Sequence, residues 1–235
     1  MKPILPLLLG TSLLCAGPAW TARSETAVAL SITSDQRFRG RSISAGDPVV
    51  SLELNHDTSS GLYLGLSGAL VATRGDGVRG LGLAQALGYA GKIGAHWTVD
   101  GGIVNRLYSN AYSGGVTVNY VEIYGGLATR NIAAKVYFSP SYFGQVATSY
   151  LEIDSVVRPA DNWRLAAHVG GLLPLETPAA NASVRARADV SLSVVREFST
   201  AEIRADVSFV GPNEDRFRGR DRGNLGGAIT MLISF

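Results

Sequence analysis

The last eleven residues constrain this chain more than any other stretch. From Leu225 to Phe235, Leu225, Gly227, Ile229, Met231, Ile233 and Phe235 alternate with Gly226, Ala228, Thr230, Leu232 and Ser234. A period of two is the mark of a β-strand, and this one keeps its apolar face to the final aromatic with no polar finish. Bacterial outer-membrane barrels end on such a strand. It closes against the first strand, and its last aromatic lies at the periplasmic interface, where assembly machinery reads it. Phe235, Ile233 and Met231 are the expected assembly signal, and the question is whether the residues upstream form a barrel.

The N-terminus fits export. Lys2 precedes an apolar run from Ile4 to Ala16, broken by Pro6 and Gly10, and small or turn-favouring residues follow through Ala22. The run is about 13 residues long, whereas a bilayer-spanning helix needs about 20. Residues 1–22 therefore read as a cleaved secretory signal, with Ala22 the preferred last residue and Ala19 a fair alternative, leaving 23–235 as a single domain. Cys15 is the only cysteine and lies within that signal, so neither disulfides nor a thiolate metal site are expected. Removing Lys2 from the 21 basic residues leaves 20 against 19 acidic ones, a balance that argues against nucleic acid as a partner. No later stretch is apolar enough for a membrane helix. If the chain spans a membrane, it must do so as a closed barrel.

Alternation recurs throughout. In Ala201 to Val210, Ile203, Ala205, Val207 and Phe209 share one face, and Glu202, Arg204, Asp206 and Ser208 share the other. Eleven further segments read the same way: Val28 to Arg39, Val49 to His56, Gly61 to Val71, Leu81 to Ile93, Trp97 to Tyr108, Val118 to Leu127, Ile132 to Ser139, Tyr150 to Arg158, Trp163 to Gly171, Arg185 to Arg196 and Leu225 to Phe235. Twelve is an even number, as a single-chain up-and-down barrel with both ends in the periplasm requires. The mature length allows roughly 18 residues per strand and connection, enough for the ~9 to 11 of a tilted membrane strand plus a loop. Short connections near Asp57, Arg130, Asp161 and Phe198 are expected in the periplasm. Longer ones at Gly40 to Pro48, Thr73 to Gly80, Pro140 to Thr148, Leu173 to Val184 and Gly211 to Asn224 are expected outside the cell.

In lipid, the charged face of each strand must point inward. The expected lumen residues are Arg37, Arg39, Lys92, Arg106, Lys135, Arg158, Arg164, Arg185, Arg187 and Arg204, against Asp35, Glu53, Asp100, Glu122, Glu152, Asp154, Asp189, Glu202 and Asp206. Two readings follow. One is a water-filled pore for passive diffusion of small polar or anionic solutes, with the doublets Arg37/Arg39 and Arg185/Arg187 drawing anions toward the extracellular half. The other is a non-conducting structural or ligand-binding barrel bridged by pairs such as Arg204 with Asp189. Trp97, Trp163, Tyr63, Phe138 and Phe209 are candidates for the lipid-side aromatic girdle. The cluster from Arg216 to Arg220 reads as a solvated loop tip.

Catalysis finds little footing. The three histidines sit in no nucleophile or metal spacing, and His56 before Ser59 and Ser60 is ordinary turn chemistry. Gly75, Gly77 and Gly80 lack the helix that a phosphate loop needs. No enzymatic activity, cofactor or metal is expected.

Ser34-Asp35-Gln36-Arg37-Phe38-Arg39-Gly40 and Ser60-Gly61-Leu62-Tyr63 resemble the opening Ser-x-x-Arg-Phe-Arg-Gly and Ser-Gly-x-Tyr segments of the TorF-type porins of proteobacterial outer membranes. Asn119 to Gly126 and Lys135 to Phe143, which includes Tyr137-Phe138-Ser139-Pro140, extend the resemblance across the mature chain. It implies an outer-membrane barrel with a channel role, having outer-membrane lipids, barrel-assembly machinery and small polar solutes as partners. Gln36 stands where the family usually has an aromatic. The apolar fourth strand, Leu83 to Leu87, stands where acidic residues are usual.

Overall fold

The computed structural model describes residues 24–109, 117–177, 184–211, 216–217, 220–221 and 225–235; the segment expected to be a signal, residues 1–22, lies outside them. Twelve strands form the wall: β1 (Glu25–Thr33), β2 (Val49–Asp57), β3 (Leu62–Thr73), β4 (Gly77–Ile93), β5 (Trp97–Tyr108), β6 (Val118–Ala128), β7 (Ile132–Tyr142), β8 (Val146–Ala160), β9 (Trp163–Pro174), β10 (Arg187–Glu197), β11 (Ala201–Gly211) and β12 (Leu225–Ser234). Each pairs antiparallel with its sequence neighbours, and β12 pairs with β1, so the sheet closes into a barrel. The seam runs from Ala29 opposite Ser234 to Thr33 opposite Thr230, and the Phe235 amide donates to the Val28 carbonyl at 3.0 Å. Closure leaves the wall with no unpaired edge, the condition for a sheet to sit in lipid.

The alternation legible in the sequence sets the two faces. Leu52, Leu64, Ile123, Leu192, Val207, Ile229 and Met231 point outward and are exposed. Ser51, Glu53, Ser67, Arg106, Glu122, Asp154, Asp189 and Arg204 point inward and are buried. This is the reverse of a water-soluble sandwich and fits an apolar solvent outside. Leu192 is 62% exposed, so Leu192→Arg would set a guanidinium against lipid. The expected loss is about 2 to 4 kcal/mol near mid-membrane, read by guanidinium unfolding from lipid vesicles. An unchanged unfolding midpoint would contradict the lipid-facing assignment.

Several expectations need correction. The first strand stops at Thr33 rather than continuing to Arg39, so Asp35, Arg37 and Arg39 are not successive residues of a wall strand. The connections expected at Thr73 to Gly80 and Pro140 to Thr148 are much shorter, because β3, β4, β7 and β8 run past those bounds to tight turns at residues 74–76 and 143–145. Tyr63 is no girdle residue: it is 8% exposed and faces inward, whereas Trp97, Trp163, Phe138 and Phe209 are outside as expected. Arg185 precedes β10 and is exposed, so it forms no inward doublet with the buried Arg187. Of the basic loop cluster, Arg216–Phe217 pairs with Arg220–Asp221, and residues 218–219 lie outside the described ones.

Candidate functional site: a lumen crossed by the first long connection

Residues 34–48 join β1 to β2 at the barrel end opposite the termini. Of these, Gly40 to Pro48 were expected to project outside the cell, yet the segment folds into the lumen: from Asp35 to Ala45 only Arg37 and Arg41 are not fully buried. The tip is a hairpin in which Arg37–Phe38 pairs with Arg41–Ser42. Arg39 (φ 50°) and Gly40 (φ 74°) both take left-handed backbone, the geometry of a two-residue turn whose twist suits paired strands. Gly40 is required twice over. A Cβ there would come within 2.7 Å of the Asp189 Cβ on β10 and 3.0 Å of the Val210 Cβ on β11.

One carboxylate organises the base of the segment. Asp35 accepts from Ser42 Oγ (2.5 Å), Ser44 Oγ (3.0 Å), the Gly46 amide (3.1 Å) and Arg37 Nη1 (2.8 Å). Arg37 also donates to the Gly40 carbonyl at 2.6 Å. Its guanidinium lies where a Cβ on Gly226 would be, so the absence of a side chain on β12 makes room for it.

The tip reaches the far wall through Arg39, whose Nη2 donates to Glu122 Oε1 on β6 at 2.8 Å while its guanidinium carbon lies 3.9 Å from the Tyr150 ring centroid on β8. Arg106 on β5 donates to the other oxygen of Glu122 at 3.3 Å. Both guanidinium groups also pack 4.8 Å from the Phe38 ring. A buried charge is tolerable only when paired and hydrogen-bonded, and here one carboxylate serves two arginines supported by aromatic faces. Phe143 stacks on Tyr108 (5.4 Å) and meets Tyr142 edge-on (4.7 Å), and Tyr142 meets Tyr120 (5.0 Å). Arg187 Nη2 reaches the Tyr142 hydroxyl at 3.4 Å.

Several of the remaining expected lumen charges form local pairs along the wall. Lys135 meets Asp100 at 2.5 Å; the Tyr63 hydroxyl donates to the same carboxylate at 2.6 Å and touches the Tyr124 hydroxyl. Toward the terminal end, Arg164 bridges Glu197 (2.7 Å) and Glu202 (2.8 Å). Arg204 pairs with Asp206 at 2.6 Å and donates to Ser193, so the expected Arg204–Asp189 bridge does not form. Asp189 instead faces His168 and Tyr150. Glu152 accepts from the Tyr137 hydroxyl at 3.0 Å, and Glu53 is buried on the inward face of β2. Lys92 and Arg158 are exposed at the terminal rim, with Arg158 3.9 Å from Glu197. His56 faces outward at that rim, 2.8 Å from Thr26 Oγ1 and 3.2 Å from Ser24 Oγ.

Sequence reasoning missed Phe38, Ser42, Ile43 and Ser44 as lumen residues, and Glu197 and Tyr150 as partners of lumen charges. One signal was available for the first group. Phe38 and Ile43 are large apolar residues beside a Gly turn, an unfavourable composition for a loop in open water.

Among solved structures, a NanC porin superimposes with a TM-score of 0.59 at 12% identity, over 90% of this chain and 99% of that one. A KdgM porin in complex with disordered oligogalacturonate superimposes with a TM-score of 0.55 at 9% identity, over 90% and 99%. At such identities the likeness is one of fold. No curated protein sequence matches the chain. Residues 19–229 match a family described as "Bacterial protein of unknown function (Gcw_chp)", and the chain belongs to that family.

Proposed function

We propose that this protein is an outer-membrane channel of the TorF porin type that passes small polar solutes, with residues 35–45 as its constriction. The observation that carries the reading is the division of the wall: exposed apolar side chains outside, charged and hydroxylated ones inside. The fold shared with the two porins supports it, as does the signal-like N-terminus. In this orientation the termini are periplasmic and the inward hairpin enters from outside the cell. The reading involves no catalytic step and no cofactor.

The solute class follows from the charges left inside. With Arg185 outside the strand and Lys92 and Arg158 at the rim, the interior keeps fewer cations than the bare alternation suggested, while Glu53, Asp100, Glu122, Glu152, Asp154, Asp189, Glu202 and Asp206 remain. Such a lumen favours neutral and cationic solutes over anions. Planar-bilayer recordings across a KCl gradient test this, with a reversal potential of cation sign expected. An anion-selective sign would contradict the solute class.

A second reading, a barrel that stays shut, has one observation in its favour: Arg39, Arg106, Lys135, Arg164 and Arg204 each meet a carboxylate of the same lumen. It differs from the first in predicting no current even when the hairpin is removed.

A further inference from the structure

We infer that Glu152, Asp154 and His168, on the inward faces of β8 and β9, form a site for one divalent transition-metal ion of the zinc class. This assignment is independent of whether the barrel conducts.

Asp154 and His168 are direct cross-strand partners, and Glu152 lies two residues from Asp154 on the same face. The three bring one ligand-type atom each to within 4.8 Å of one another, and all are buried. His168 Nδ1 is 2.7 Å from Asp154 Oδ1. Its other nitrogen is 3.0 Å from Asp189 Oδ1, and the Tyr150 hydroxyl holds Asp189 at 3.1 and 3.2 Å. Metal-binding histidines are oriented in this way, with a carboxylate on the far nitrogen leaving the near one for the ion. Glu152 is similarly oriented by Tyr137.

A separate observation points to a missing partner. Asp154 Oδ2 is buried, in a residue only 6% exposed, and has no hydrogen-bond partner. Orphaned buried carboxylate oxygens are costly. Three carboxylates, Glu152, Asp154 and Asp189, surround one imidazole, and the two cations that act on Glu152, Lys135 and Arg39, make their own ion pairs with Asp100 and Glu122 at 2.5 and 2.8 Å. A doubly charged ion offsets that excess and engages Oδ2.

The donor set selects the class. One imidazole nitrogen and two carboxylates suit zinc and its first-row neighbours, whereas calcium and magnesium favour all-oxygen shells. With bonds of about 2.0 Å in tetrahedral geometry, ligand atoms lie about 3.3 Å apart, so the 2.7 Å contact must open by roughly half an ångström. Chain spacing could not reveal the site, because the ligands meet only through the β8–β9 register.

The test uses full mature protein refolded in detergent micelles and stripped with a chelator. Titration with Co²⁺ should produce a visible d–d absorption band saturating at one ion per chain and displaced by Zn²⁺. Asp154→Asn and Glu152→Gln, which preserve volume, should each abolish the band. Asp189→Asn should weaken binding about 10- to 100-fold, and His56→Ala should leave it unchanged. Folding of each variant is checked by circular dichroism and by the gel mobility of the closed barrel, and if one ligand variant does not fold the other decides. Absence of the band in wild-type protein, or its persistence in the folded ligand variants, would overturn the assignment.

Discussion

Replacing Arg39 by alanine is expected to release the hairpin from the far wall of the lumen. The side chain is 4% exposed, pairs with Glu122 at 2.8 Å and packs its guanidinium on Phe38 and Tyr150. Removing one member of a buried pair costs about 3 to 5 kcal/mol when the other is left alone. Glu122 keeps Arg106 at 3.3 Å, which lowers the cost, while the lost cation–π contacts add about 0.5 to 2 kcal/mol each. A net loss of about 3 kcal/mol corresponds to a rise of roughly 150-fold in the undocked fraction. In bilayer recordings this should appear as longer and more frequent openings. A cycle with Glu122→Gln separates pairing from packing: the double variant should fall short of the sum of the two singles by about 0.5 to 3 kcal/mol, as expected for residues in contact. Additive effects would mean that the pair does not hold the loop.

Shortening the connection is expected to have the larger effect on current. Thr33 and Val49 are direct partners across β1 and β2, so a short glycine–serine linker can replace residues 35–47 without disturbing the register. The change withdraws Phe38, Arg39 and Ile43 from the lumen together. Burial of each apolar side chain contributes about 1.5 to 3 kcal/mol, so the variant should unfold more readily. The twelve-strand wall should nonetheless remain closed, because its seam between β1 and β12 uses none of the removed residues. Conductance should rise at least several-fold, since the material spanning the lumen is gone while the charged wall remains.

Much of the wall was legible in the sequence because lipid outside and charge inside impose one rule on every strand. In β11, Ile203, Val207 and Phe209 face out and Arg204, Asp206 and Ser208 face in, as their alternation alone implies. The same rule failed at Arg37 and Arg39, where the period of two continues past Thr33 into a turn, so alternation cannot distinguish a wall strand from a hairpin lying inside the barrel. Left-handed backbone at Arg39 and Gly40 is what separates them. Tyr63 was misplaced by its aromatic character near a strand end, although alternation groups it with Gly65 and Ser67 on the face opposite Leu62, Leu64 and Leu66; the inward position and the hydrogen bond to Asp100 follow that alternation. Pairings were less legible than positions. Arg204 meets Asp206 on its own strand rather than Asp189 on the neighbouring one, a choice made by side-chain reach that register alone does not fix.

The most direct measurement compares single-channel currents of wild-type protein and the shortened-connection variant under identical voltage and salt. If residues 35–45 are the constriction, the wild type should pass little current and the variant should pass sustained, larger current. Equal currents from the two, or no current from the folded variant, would contradict the account.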